Sequence, residues 1–291
     1  MRYFFKFLIA VLSVLLCVNA HAGLGFSFPS LPQLPIGNNK STPNVDLSDV
    51  ASNIKKLATD IDEPEEIQIG QGFAATLLGA RPLAADPHLQ RYVNALGRWL
   101  ALQTERPDLP WTFAVLEDPG FNALATPGGY IFVTRGLIDR MHNESELAGV
   151  LAHEIGHVLR KHYLKGVKQD AVGSLIGSAV TAKAGNSEVK AGLVSMFKNV
   201  YKNGLSKDDE FEADRIGVVV AARAGYDPFG LPSVIQMLEG QSAQDQSFSL
   251  MLKTHPAPAE RLERLDRLMS SRFDSFVGAS GATIAERVRQ Y

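Results

Sequence analysis

His153, Glu154 and His157 stand in the run His153-Glu154-Ile155-Gly156-His157. On a helix, the two histidines are i and i+4 and project from one face, one turn apart. Their ring nitrogens can then reach a single metal ion at about 2.0–2.1 Å. Glu154 is rotated about 100° from His153 around the helix. It is near the ion but badly placed to ligate it, which is where a general base for the ion's water belongs. The competing account is a solvated helix that carries these residues by chance. It fits poorly, because Glu154 lies beside an apolar stripe of Leu147, Leu151, Ile155 and Val158.

Catalytic zinc takes three protein ligands and keeps one position open. A third histidine in the form HExxHxxGxxH is excluded, since Arg160 and Tyr163 occupy the glycine and histidine positions. His162 falls off the ligand face of a continuing helix and reads as a surface histidine near its end. Glu210-Phe211-Glu212-Ala213-Asp214 offers a carboxylate instead. Glu210 and Asp214 are i, i+4 and share a face. Glu210 can complete the ligand set for one Zn2+ per chain. Asp214 can accept a hydrogen bond from the other nitrogen of a ligand histidine, while Glu212 points elsewhere. Two accounts compete with this: acidic residues that only offset a helix macrodipole, and a purely structural zinc site. The latter is usually closed by four Cys or His ligands and leaves Glu154 without a role.

Positioning these groups requires a helix over the histidine run. Asn143-Glu144-Ser145-Glu146 supplies its N-terminal cap. Asp208 to Ala224 reads as the second helix, closed by Gly225 and Pro228. His88 to Leu102 is amphipathic, Leu47 to Leu78 is helical in places, and Val234–Leu238 and Ala259–Met269 are further helices. Trp111–Leu116 and Tyr130–Thr134 read as strands, the second after the turn Thr126-Pro127-Gly128-Gly129. Residues 166–205 read as a pair of packed helices or a mobile flap. Gly173 and Gly177 have the spacing of a membrane helix-pairing motif, but Lys183 breaks that apolar run and it is too short to span. The expected fold is α+β and mainly helical, with a small β-sheet. No internal repeat is visible, in particular no array of roughly 34-residue helical repeats after the metal site.

Composition sets outer limits. The 291 residues are 45% hydrophobic and 21% charged with a net charge of −2, enough for a sizeable core and no attraction to polyanions. Arg2 and Lys6 precede an apolar run from Phe7 to Val18, and Ala20-His21-Ala22 has the form of a signal-peptidase site. The reading is a signal peptide over 1–22, with a retained anchor as the alternative. A flexible leader (23–46), a metallopeptidase domain (47–270) and an irregular tail (271–291) follow. Cys17 is the one cysteine and leaves with the signal, so neither a disulfide nor a thiolate is available to the remainder.

With these motifs in hand, the sequence resembles the zinc peptidase family of HtpX and the CAAX prenyl proteases, specifically its soluble periplasmic BepA-type branch. The likeness runs from about Glu65 to Arg267. It rests on Asn122-Ala123, Pro127 to Leu137, the HEIGH run, Glu210 to Asp214, and His255-Pro256 with Arg261. It implies a gluzincin-type fold with His153, His157 and Glu210 on zinc and Glu154 as base. It also implies that Tyr130, Ile131, Phe132, Val133 and Thr134 form an edge strand along the cleft, to which an extended substrate adds. His255 would be either an inhibitory fourth ligand or an oxyanion donor, with Arg261 nearby as a further catalytic residue. The implied activity is endoproteolysis of misfolded envelope proteins in the periplasm, possible peripheral outer-membrane association included. The alternative is a periplasmic chaperone or assembly factor with slow or latent proteolysis. The sequence departs from the family in having neither transmembrane helices after the signal nor a C-terminal repeat domain.

Overall fold

The computed structural model describes residues 61–166, 200, 202–239, 241, 244–273, 275–276 and 278–291. The signal and leader readings, and nearly all of the 166–205 reading, lie outside the described residues. The helices are α1 (Glu63–Ala80), α2 (Pro87–Ala101), the short α3 (Arg135–Ile138), α4 (Glu144–Leu159), α5 (Lys207–Arg223), α6 (Gly230–Leu238), α7 (Ser249–Thr254), α8 (Pro258–Met269) and α9 (Ile284–Val288). The strands are β1 (Thr112–Leu116), β2 (Ala123–Thr126) and β3 (Tyr130–Thr134). This is the mainly helical α+β fold that the patterning predicts. No helix among the described residues is long and apolar enough to cross a membrane.

Helix α4 is the centre of the described residues. Asn143 caps it by accepting the Glu146 amide at 3.1 Å. All of its residues are buried, not only the stripe expected from periodicity. Helices α2, α5 and α6 and strand β2 surround it. The crossing with α5 is closest where side chains are absent. A Cβ on Gly156 would lie 3.2 Å from the Ala213 Cα, and one on Gly217 would lie 3.0 Å from the His153 nitrogen. This close approach lays the acidic first turns of α5 against the histidines of α4.

The sheet has the order β1-β3-β2, with β1 parallel and β2 antiparallel to β3. Alternate residues face opposite ways. Phe113, Val115, Ala123, Ala125, Ile131 and Val133 join the main core around α2 and α4. Leu116, Leu124 and Phe132 pack with Phe73 and Ala74 of α1. The expected edge strand, Tyr130–Thr134, is therefore the central strand. Its apolar residues serve cores on both faces, and both of its edges are paired. The outer edge of β1 is covered, since Asn94 and Gln90 accept the Phe113 and Val115 amides at 3.1 and 2.9 Å. The edge beside α4 belongs to β2.

Buried Glu66 ties these parts together. Its carboxylate accepts the Gly128 amide at 3.2 Å, pairs with Arg106 at 3.0 Å and meets Lys161 Nζ at 3.0 Å. One group thus links α1, the β2–β3 turn and the end of α4. The tail read as irregular also packs on α4. The carbonyls of Ala282 and Ser280 accept the Glu144 and Ser145 amides at 3.1 and 3.0 Å, and Arg287 pairs with buried Glu144 at 2.9 Å. These contacts satisfy helix donors that would otherwise be orphaned in the interior.

Candidate active site

The histidines of α4 and the first turns of α5 converge in the interior. The Nε2 atoms of His153 and His157 are 3.0 Å apart, and each is 3.7 Å from a carboxylate oxygen of Glu210. Two imidazole nitrogens and one carboxylate are the donor set of a catalytic metal centre with an open position. Glu154 Oε2 and Glu210 Oε2 are buried without a hydrogen-bond partner, which is costly unless a cation or water meets them. The residues therefore fit a divalent metal.

Each histidine is held from behind. His153 Nδ1 lies 2.9 Å from Asp214 Oδ1, an electrostatic contact whose alignment falls short of a hydrogen bond, and Arg261 grips Asp214 through Nε at 2.9 Å and Nη2 at 2.6 Å. Arg261 thus sits behind a histidine. Burial alone would raise Asp214, but the Arg261 guanidinium and the His153 contact outweigh it and hold the carboxyl well below its usual range. His157 Nδ1 lies 3.0 Å from His162 Nδ1. The reading of His162 as a surface residue is corrected here, for it is 1% exposed. Helix α4 ends at Leu159, and Lys161, at φ 52°, turns the chain so that His162 folds beneath the helix end. No glycine or proline marks that turn. The visible signal was a third histidine five residues beyond the pair.

Burial dominates the electrostatics. It pushes Glu154 up to about 8, against the pull of Arg261 and of the Ala125 amide that donates to it. It also drives Glu210 well above the carboxylate range. Burial shifts His153 down, and His157 and His255 far down, so these imidazoles are neutral and ready to ligate. His255, just after α7, brings its Nε2 to 3.4 Å from Glu210 Oε2. Its donor atom also converges with those of His153 and Glu154. A cleft lined by Asn122, Ala123, Tyr163, Glu210, Thr254 and His255 opens onto the site.

A sequence model described as peptidase family M48 matches residues 87–269, the span from α2 through α8. The chain belongs to peptidase family M48. Within this family it is similar to the beta-barrel assembly-enhancing protease of Escherichia coli (strain K12), at 31% identity over 208 residues, 68% of this chain and 42% of that protein. The putative beta-barrel assembly-enhancing protease of Vibrio cholerae serotype O1 is 30% identical over 208 residues, covering 68% of this chain and 43% of that protein. The mitochondrial metalloendopeptidase OMA1 of Schizosaccharomyces pombe is 25% identical over 245 residues, covering 83% and 67%. This M48 chain thus spans less than half the length of the first two relatives, and the residues matched by the family model include His153, His157 and Glu210.

Proposed function

We propose that the protein is a zinc-dependent endopeptidase that hydrolyses peptide bonds of misfolded envelope proteins in the periplasm, with 47–270 as its peptidase domain. The observation that carries this is the buried carboxyl of Glu154, with a free oxygen, beside the converging donors of His153, His157 and Glu210. Export is supported by the charged, then apolar, N-terminal run ending at Ala22. The envelope substrate is supported by the names of the assembly-enhancing relatives.

Zinc bound by these three residues would polarise the scissile carbonyl and acidify the attacking water. Glu154 Oε2 takes the proton of that water and returns it to the leaving nitrogen. The Asp214 carboxylate, 2.9 Å from His153 Nδ1, favours the tautomer that presents Nε2. His255 best suits the role of a fourth ligand. Its Nδ1 lies 3.2 Å from the Met251 carbonyl, which can only accept, so Nδ1 carries the proton and Nε2 presents a lone pair.

The substrate is read as lying along β2. Asn122 and Thr134 form a hydrogen-bonded pair, with the Thr134 amide donating to the Asn122 carbonyl at 3.0 Å. By strand alternation, the main-chain groups of Ala123 and Ala125 point away from β3; the Ala125 amide is taken by Glu154, and the Ala123 groups are left for an extended peptide to pair with. Ala123→Pro removes one such donor without taking a bond from the β2–β3 ladder. It should raise KM by roughly 2- to 10-fold, the worth of one main-chain hydrogen bond, with little change in melting temperature. An unchanged KM would remove β2 from substrate binding.

The deciding experiment is cleavage of unfolded casein by the zinc-loaded protein. Chelator should stop it and re-added zinc restore it, and His255→Ala should cleave faster if His255 closes the resting site. Casein held soluble but left intact, by wild type and His255→Ala alike, would favour the chaperone reading.

A further inference from the structure

We propose that His162 is a positioning residue for His157, fixing its proton on Nδ1 and so its Nε2 toward the metal. The inference rests on reading the site as a metal centre. It assigns a role to a buried residue that lies outside the ligand set.

The argument begins with the two ligand histidines. His153 is backed by a carboxylate, Asp214, in the arrangement usual for metal-bound imidazole. His157 has no carboxylate at its Nδ1. Its neighbour there is another imidazole nitrogen at 3.0 Å. Two Nδ1 atoms at that distance share one proton between them, since two N–H groups would repel and two lone pairs would not bond. His157 Nε2 faces His153 and Glu210, so the proton belongs to its Nδ1. The Nδ1 of His162 must then be bare, and the proton of His162 must sit on Nε2.

The surroundings of His162 suit that tautomer. Its Nε2 lies 3.3 Å from Glu212 Oε2 and 3.5 Å from Asp209 Oδ1. Both carboxylates accept only. Asp209 is itself held by Lys165 Nζ and Ser206 Oγ, each at 2.6 Å. Glu212 is held by Arg160 Nε at 3.1 Å. A relay therefore runs from α5 through His162 to His157, parallel to the relay from Arg261 through Asp214 to His153. The chain also bears a local cost to deliver His162. Lys161 adopts a left-handed conformation, at φ 52°, that is unfavourable for a residue other than glycine. Its ammonium is pinned to buried Glu66 at 3.0 Å.

The test is zinc affinity, measured by competition with a chromophoric chelator. His162→Leu keeps much of the bulk but removes the acceptor, and should weaken zinc binding by roughly 10–100-fold. His162→Asn places Oδ1 where Nδ1 stood, and should recover most of that loss. The Co2+-substituted leucine variant should show altered visible bands, and the asparagine variant should not. Leucine and asparagine variants that bind zinc as wild type does would overturn the proposal, as would two equal losses, which mark a packing role only. Should the leucine variant fail to fold, nitrogen NMR of 15N-histidine wild type still decides. Protonated Nε2 with bare Nδ1 at His162 is required, and the opposite tautomer overturns the inference. If wild type bound no zinc, the metal reading itself would fall, while the tautomer of His162 could still be read independently.

Discussion

Replacing Glu154 with glutamine lowers casein cleavage by roughly 10²–10⁴-fold, the worth of a positioned acid–base group, and leaves zinc binding in place. Glutamine matches glutamate in shape, and its carbonyl can still accept the Ala125 amide. It cannot take up and return a proton. The ligand atoms of His153, His157 and Glu210 are untouched, so zinc content should remain one ion per chain. Stability supplies a second readout. Burial raises the Glu154 carboxyl from 4.5 to about 8. A carboxyl whose folded pKa lies above its unfolded value costs stability as pH rises through that window. The glutamine variant lacks this cost. Stripped of metal, it should melt above stripped wild type at about pH 9 and level with it at about pH 4. Normal cleavage by the variant would remove Glu154 from the mechanism.

The convergence of His153, His157 and Glu210 is more legible in the sequence than the sheet beside it. Histidines at i, i+4, a capped helix and a carboxylate pair at i, i+4 are local patterns, and helical geometry converts them directly into facing atoms. Strand order is not local. β2 is Ala-Leu-Ala-Thr, weak in β propensity, and is a strand because β3 pairs with it. For the same reason the central position of β3 is not plain from the motif, although the sequence carries one clue. Ile131, Phe132 and Val133 are apolar in succession, the mark of a strand buried on both faces. The buried position of His162 is not legible in the helical pattern, because α4 ends at Leu159. At the turn that ends it, Lys161 meets Glu66, a partner far away in sequence.

Arg261→Met should destabilise the fold by about 3–5 kcal/mol, because it strands the Asp214 carboxylate in the interior without its counter-charge. The pair is almost wholly buried, at 4% and 2% side-chain exposure. Arg261 supplies both hydrogen bonds that grip the two carboxylate oxygens. For a domain of this size the loss corresponds to a fall of roughly 10 °C in melting temperature. The double variant Arg261→Met, Asp214→Leu separates structure from function. With the stranded charge removed, stability should largely return, since apolar replacements of a buried ion pair are often neutral. Zinc affinity should not return. His153 would have lost the acceptor that fixes its tautomer, and about 10–100-fold weaker binding is expected. A double variant that melts like wild type yet binds zinc weakly would mean that Arg261 serves the metal through Asp214 and His153. Wild-type zinc affinity in the same protein would mean that the pair only braces α5 against α8.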